Sequence, residues 1–496
     1  MLEFPYRMES DTLTKSIRGS VLHIGVSIVT IIFGFVRTIL LMRWLADPDP
    51  FGAITLALFF SNLTIPFATF GVDAALLQAK DPPASAFSTN FILRVTLSSS
   101  ILLICFLSTP ILELFYSEQV VFLIFLMFGL NVIEATYGTH TIVLRRDLRF
   151  GSLAIINLIA SLAMSIVAPL LAFLGYGIWS LVAERVVSAA VRWISMWVFL
   201  RPWKVVLQFD IEQAKSQLTF GSHVVLTNVM GILLDRFDDF WTGTTLGQTA
   251  LGIYSRAYEI AQYPERILAT PLTNVFFSTY AALQDRANEL KESFWIASAF
   301  LVRAGFLLTV LLFSTARELT LILFGDAWLP IVPVFRLMLI YVIIDPIYVN
   351  LSYLMIGLGL PQLLNRARFV QLFVFVISIM IFSRFWNIYG VAWAANIMML
   401  AGTALLFWFT RHLVPISLVK LLRFPTLAAI TSGIFAGLIS QFMPSEIQGW
   451  LKLIVTSLLI AFVYLILLLL TERDLLQDML HTIYNKTKGI LSNNGQ

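Results

Sequence analysis

The chain has 496 residues, of which 58% are hydrophobic, 14% aromatic and 12% charged, with a formal net charge of +4. Its mean hydropathy of +0.85 excludes a soluble globular domain. A single cysteine, Cys105, excludes a disulfide framework or a thiolate metal cluster. Apolar runs of about 20 residues recur along the whole length, each long enough to cross a ~30 Å hydrocarbon core, and the ten-residue alternation of barrel strands is absent. The expected fold class is therefore an all-α polytopic membrane protein with about fourteen transmembrane helices.

The segment 1–17 is polar, lacks the apolar core of a cleaved signal and is expected to stay cytoplasmic. Spans are expected at 18–46, 51–78, 85–109, 119–144, 152–174, 176–200, 217–245, 249–281, 293–314, 328–357, 362–383, 387–411, 421–442 and 449–471. Polar residues run through the second and eighth, which makes their limits the hardest to set. Loop arginines and lysines collect on the side of the N-terminus, with only Arg43, Arg317, Arg384 and Lys452 opposite. This bias places both termini in the cytoplasm of a multi-pass inner or plasma membrane protein.

An offset of 200 residues brings Lys15-Ser16 onto Lys215-Ser216, His23 onto His223, Gly52 onto Gly252 and Ala57 onto Ala257. Further on, "GYGIWSLVAERV" (175–186) resembles "NIYGVAWAANIM" (387–398). Six spans per repeat is an even number, so the repeats enter the membrane in the same direction, as two parallel six-helix lobes around a central cavity. The expected organisation is an N-lobe at 18–200, a cytoplasmic linker at 201–216, a C-lobe at 217–412, two extra helices within 413–471 and a cytoplasmic tail at 472–496.

Charges inside the spans carry the functional signal, because each costs ~2.5–3.5 kcal/mol at the centre of a lipid-facing helix. Arg256, Glu259, Tyr263 and Arg266 share one helical face; so do His23, Ser27, Thr30, Gly34 and Arg37. Asn228, Asp235 and Thr242 repeat at seven-residue spacing, joined by Asp238 and Asp239. Such stripes on the first, seventh and eighth spans favour a hydrated cavity. Internal pairing stays open for any one charge: Arg256 can pair with Glu259 on its own helix or with Asp235 on the neighbouring span. Arg192 and Arg336, near span ends and beside aromatics, are expected to snorkel to the interface. His23 and His223 are repeat-related and are either proton carriers or interfacial residues. No H-E-x-x-H, Walker A or cysteine–histidine pattern occurs, so neither metal hydrolysis nor ATP use is signalled.

Three stretches extend this reading: "WLADPDPFGAITLALFFSNLTIPFATFGVDAALLQ" (44–78), "LRRDLRFGSLAIINLIASLAMSIVAPLLAFLGYGIWSLV" (144–182) and "FGSHVVLTNVMGILLDRFDDFWTGTTLGQTALGIYSRAYEIAQYPERI" (220–267). They resemble the bacterial Wzx-type oligosaccharide flippases of the multidrug/oligosaccharidyl-lipid/polysaccharide (MOP) exporter superfamily. The resemblance implies a transporter, not an enzyme, that moves polyprenyl-diphosphate-linked oligosaccharides to the outer leaflet by alternating access, for lipopolysaccharide or exopolysaccharide synthesis. It implies membrane lipids and the polymerase or chain-length machinery as partners, no nucleic acid, and no cofactor beyond H⁺ or Na⁺ coupling. Guanidinium forks match phosphate oxygens, so the expected headgroup contacts are Arg37, Arg236 and Arg256, then Arg266, Arg94 and Arg303. Asp235, Glu259 and Asp73 are expected to orient these arginines or to exchange coupling ions, as are His23 and His223. Pro264 is the expected hinge, since it removes a helix donor. The alternatives are a flippase for the peptidoglycan precursor and, further off, a cation-coupled drug exporter.

Overall fold

The computed structural model describes residues 10–266, 276–277, 279–414, 417–442, 449–475 and 477; for residues 10–24 and His223 it describes the backbone alone. Part of the eighth expected span and most of the expected tail thus lie outside the described residues, as do the side chains of His23 and His223. Among the described residues the fold is helical throughout, which is what a chain in hydrocarbon requires: only intra-helix hydrogen bonds can satisfy the backbone there.

The helices are α1 (Ser10–Leu45), α2 (Asp49–Thr69), α3 (Val72–Gln78), α4 (Ala84–Leu107), α5 (Thr109–Leu112), α6 (Glu118–Arg146), α7 (Phe150–Phe173), α8 (Ile178–Ile194), α9 (Ile211–Thr245), α10 (Gln248–Ala261), α11 (Ala287–Leu323), α12 (Ile331–Gly357), α13 (Pro361–Thr410), α14 (Leu418–Phe442) and α15 (Gly449–Thr471). Among the described residues, ten are long and apolar enough to cross a membrane, eleven with the bent α9. The fourteen expected spans depart from this tally at three places. The α8 helix has 17 residues but continues as a π-helix, Ser195–Leu200. The α10 helix has 14 residues. And α13, 50 residues long, breaks at Asn387 into two membrane-length halves.

Two compact units divide the chain at Ser255/Arg256, not within the polar segment 201–216. The reason is packing: α9 lies against α2, α3 and α4 of the first unit. Its start is tied down by polar groups. Asp210 caps α9 through the Glu212 and Gln213 amides (3.0 and 3.2 Å), and the Ser85 hydroxyl donates to its other carboxylate oxygen (3.1 Å). Gln217 donates to the Ala86 carbonyl, and Asn90 accepts from Thr139 of α6 (2.9 Å).

Within the first unit, the 200-residue offset takes physical form where α2 and α10 begin. Thr249 donates to Asp49 at 2.7 Å, and Thr55 meets Ser255 at 3.5 Å, each pair 200 residues apart. A β-carbon on Gly52 would run into the Gln248 carbonyl, and one on Gly252 into the Pro48 carbonyl. Exchanging the two stretches of sequence maps the first two contacts onto themselves and the two glycine contacts onto each other, a local two-fold arrangement.

The expected second span is two helices. The α2 helix ends at a left-handed Phe70 (φ 43°), and Gly71, also left-handed (φ 63°), starts α3. Gly71 sits so close to Gly221 of α9 that neither position has room for a side chain.

In the second unit, α11 packs against α12, α14 and α15, and α12 against α13. Tyr280, Phe294, Leu354, Leu406 and Tyr464 stand in its core. Outward faces of both units are apolar, for example Phe199 (77% exposed) in the first and Phe442 (85%) in the second, as a lipid-facing surface demands.

Candidate functional site

A cavity of about 570 Å³ lies inside the first unit, lined by residues of α3, α4, α6, α7 and α8. It gathers three arginines and two carboxylates: Arg94, Arg145, Arg192, Asp73 and Glu134. In the helix array they come from four elements, with Glu134 and Arg145 sharing α6. Asp73 stands in the first turn of α3, Arg94 midway along α4, Arg145 in the last turn of α6 and Arg192 in the last turn of α8.

Arg94 is the buried member, 9% exposed, and its Nη1 forms an ion pair with Asp73 Oδ2. Room for its guanidinium comes from Gly138 of α6, where a β-carbon would overlap the group. Tyr137 and Glu134 of α6 line the cavity together with Arg94 and Arg192. Just beyond Arg192 the helix widens to the π form, with Met196 against the cavity. The site is thus a polar pocket in an apolar bundle, with three basic side chains against two acidic ones.

The remaining arginines named from the sequence are placed as follows. Arg37 pairs with Glu184 of α8 at 3.0 Å and reaches Ser165 of α7 at 3.5 Å, which ties α1 to both. Arg236 pairs with Asp239 at 3.2 Å, its own side chain 41% exposed while Asp239 is buried. Asp235 is exposed. Asp238, buried beside it, accepts from the Tyr254 hydroxyl at 2.6 Å. Arg256 pairs with Glu259 one turn on, as one of the open alternatives had it. Arg266 is exposed, takes Gln262 Oε1 at 2.8 Å and lies over the Tyr263 ring. Arg303 makes a two-pronged bond to Glu472 at 2.9 and 2.5 Å. Near Pro264, α10 stops at Ala261, with a turn at Gln262 followed by helical residues 263–264 and π-form residues 265–266.

Of the expected headgroup contacts, then, Arg94 is the one that lines this cavity, and Asp73 joins it from the orienting set. Arg192 differs from its expected snorkelling place: it is half-buried and its Nε is sealed from solvent. Arg336, by contrast, lies over the Phe313 ring at 5.1 Å. Sequence reading passed over a stripe that marks the site. Glu134, Tyr137, Gly138, Thr141 and Arg145 recur at helical spacing along one face of α6, as polar residues do on the first, seventh and eighth spans. Among the described residues no three ligating side chains gather to hold a metal ion.

Comparisons with known proteins agree with this architecture. Residues 40–333 match the family described as Polysaccharide biosynthesis protein. Similar curated proteins include the teichuronic acid biosynthesis protein TuaB of Bacillus subtilis, 25% identical over 54% of this chain and 56% of that one. The succinoglycan biosynthesis transport protein ExoT of Rhizobium meliloti is 27% identical over 67% of this chain and 66% of its own length. The lipopolysaccharide biosynthesis protein WzxC of Escherichia coli is 21% identical over 74% and 75%. The match thus spans little more than half of the first of these relatives and about two thirds of the second. Among solved structures, the lipid II flippase MurJ in an inward closed conformation superposes with a TM-score of 0.76 at 16% identity, covering 92% of this chain and 100% of that one. An inward-facing MATE transporter of the MOP superfamily gives 0.59 at 14% identity, over 79% and 97%. The fold is therefore that of MOP-superfamily transporters, and by its sequence the chain belongs to the polysaccharide biosynthesis protein family.

Proposed function

We propose that the protein flips polyprenyl-diphosphate-linked oligosaccharides from the cytoplasmic to the outer leaflet of the inner membrane by alternating access. The observation that carries this reading is the arginine-lined cavity in a lipid-embedded bundle of this family. A diphosphate cannot cross hydrocarbon unaided, and guanidinium groups replace its water with forked donors. Arg94, Arg145 and Arg192 take the headgroup on the side of the membrane where α6 ends, which the positive-inside bias makes cytoplasmic. Arg37, Arg236, Arg256 and Arg266 belong to the later path, with Glu184, Asp239 and Glu259 holding the first three in place. Arg303, enclosed by Glu472, has the weakest claim to a headgroup contact. In this reading both termini are cytoplasmic, the two repeats act as lobes, the turn before Pro264 serves as a hinge, and a polymerase takes up the product. H⁺ or Na⁺ coupling through Asp238, Asp239 or the histidines supplements the membrane potential.

The MurJ-like fold also suits a flippase for the peptidoglycan precursor, which carries the same diphosphate; the family match favours the oligosaccharide. Flipping of a fluorescent polyprenyl-diphosphate oligosaccharide in proteoliposomes tests the proposal. Wild type is expected to flip it, and folded Arg94→Gln and Arg192→Gln to lose at least about tenfold in rate, the equivalent of one charge-assisted hydrogen bond. Equal rates in all three would remove the cavity from the path. Inactive wild type that exports cationic drugs would end the flippase reading.

A further inference from the structure

The charged groups of the cavity do not satisfy one another. Asp73 holds Arg94 through Oδ2, while its Oδ1, the Nε of Arg94 and the Nε of Arg192 are sealed from solvent and have no hydrogen-bond partner. Buried donors and acceptors left in this way are costly, and protein interiors rarely keep them without a use. The contrast within the chain is direct: Arg303 spends Nε, Nη1 and Nη2 on Glu472 and the Ala299 carbonyl.

We propose that the cavity is a binding site for a diphosphate-class anion, and that Asp73 stands in for that ligand on Arg94 until the ligand displaces it. This deepens the proposed function and rests on it for the ligand's lipid origin. A diphosphate presents several acceptor oxygens around two centres, enough to engage Arg94 and Arg192 together, which one carboxylate on α3 cannot do. The volume lies within the range of small-molecule sites. Asp73 is free to leave because its side chain is 34% exposed, against 10% for that of Arg94. Its departure removes the ion pair between α3 and α4, and α3 is the seven-residue helix whose preceding Gly71 touches Gly221 of α9. Ligand entry is thereby linked to the packing of α3 inside this unit.

The test is calorimetric titration of the purified full-length protein in detergent with inorganic pyrophosphate. Wild type is expected to bind it saturably. Arg94→Gln and Arg192→Gln should each weaken binding at least about tenfold, whereas Asp73→Asn should tighten it by a similar factor, because the internal competitor is gone. Arg94→Lys, which keeps the charge but not the fork, should fall between and covers the case in which Arg94→Gln does not fold. Unchanged or weaker binding by Asp73→Asn would overturn the exchange, and wild-type affinity in Arg94→Lys and Arg94→Gln would overturn the site. Glucuronate is the carboxylate probe; tighter binding than pyrophosphate would overturn the diphosphate class. Farnesyl diphosphate separates the sources: displacement of pyrophosphate assigns a lipid-borne headgroup, and failure to displace it overturns the lipid origin in favour of a soluble phosphate. The titration needs no transport, so loss of the site with flipping intact, or of flipping with the titration intact, tells the two proposals apart.

Discussion

Arg303 and Glu472 form an enclosed ion pair in the second unit, with side chains 5% and 7% exposed. The Tyr464 hydroxyl donates to the Arg303 carbonyl at 2.9 Å, and Nη1 takes the Ala299 carbonyl at the same distance, so α11 is bound to α15 and the residue just beyond it. Such a pair is strongly missed when one partner goes and little missed when both do. Arg303→Ala is accordingly expected to cost about 3–5 kcal/mol through the stranded Glu472 carboxylate, and Arg303→Met with Glu472→Leu to recover most of it. Thermal unfolding in detergent checks this; a double variant as unstable as the single one would show that the helices depend on the charges themselves. That a charge inside a span must find a partner was legible in the sequence. Which partner was legible only where spacing supplies it, as for Arg256 and Glu259. Arg37 with Glu184, Arg94 with Asp73 and Arg303 with Glu472 join separate helices, and no periodicity within one helix points across to another.

At the scale of elements, Gly177 and Asn387 each stand before a helix with nearly the same backbone, φ 55° and ψ −129° for the glycine, φ 49° and ψ −129° for the asparagine. This pairs "GIWSLV" with "NIYGVA", two residues away from the register in which the sequence repeat sets Gly175 opposite Asn387. Turn geometry shows the correspondence better than low identity, because a left-handed turn constrains one position while its neighbours drift. Asn387 carries the strain that Gly177 avoids, and its side chain is exposed. Asn387→Gly should therefore stabilise the protein by roughly 1 kcal/mol, at the low end of the cost of such backbone strain. A lowered melting temperature would mean that the asparagine side chain does more than cap the break. Most helices could be read from hydropathy. The break at Phe70–Gly71 could not, since it lies in the second expected span, where polar residues already blur the limits, and neither could the π-helical end of α8, which sits in an apolar run. Nor could the division at Ser255/Arg256, which follows from how α9 packs, and packing leaves no mark in local pattern.

For the whole molecule, the proposed transport sets a charge against the membrane potential, and the sign can be worked out. In the proposed orientation the headgroup leaves the cytoplasm, so an uncompensated dianion moving outward through an inside-negative 100 mV gains roughly twice the ~2.3 kcal/mol of a single charge. If the arginines neutralise the dianion and move with it, the loaded step carries no net charge. The empty, positively charged cavity must then return inward, and the same potential favours that return. Either way an inside-negative potential speeds one half of the cycle and opposes neither. Proteoliposomes given a potassium diffusion potential with valinomycin should thus flip the lipid-linked oligosaccharide faster as the potential grows, with pH and Na⁺ equal on both sides. A rate indifferent to potential but raised by a proton or Na⁺ gradient at zero voltage would instead assign the work to a coupled ion. The buried Asp238–Tyr254 contact and the neighbouring Asp239 would then be the first residues to substitute.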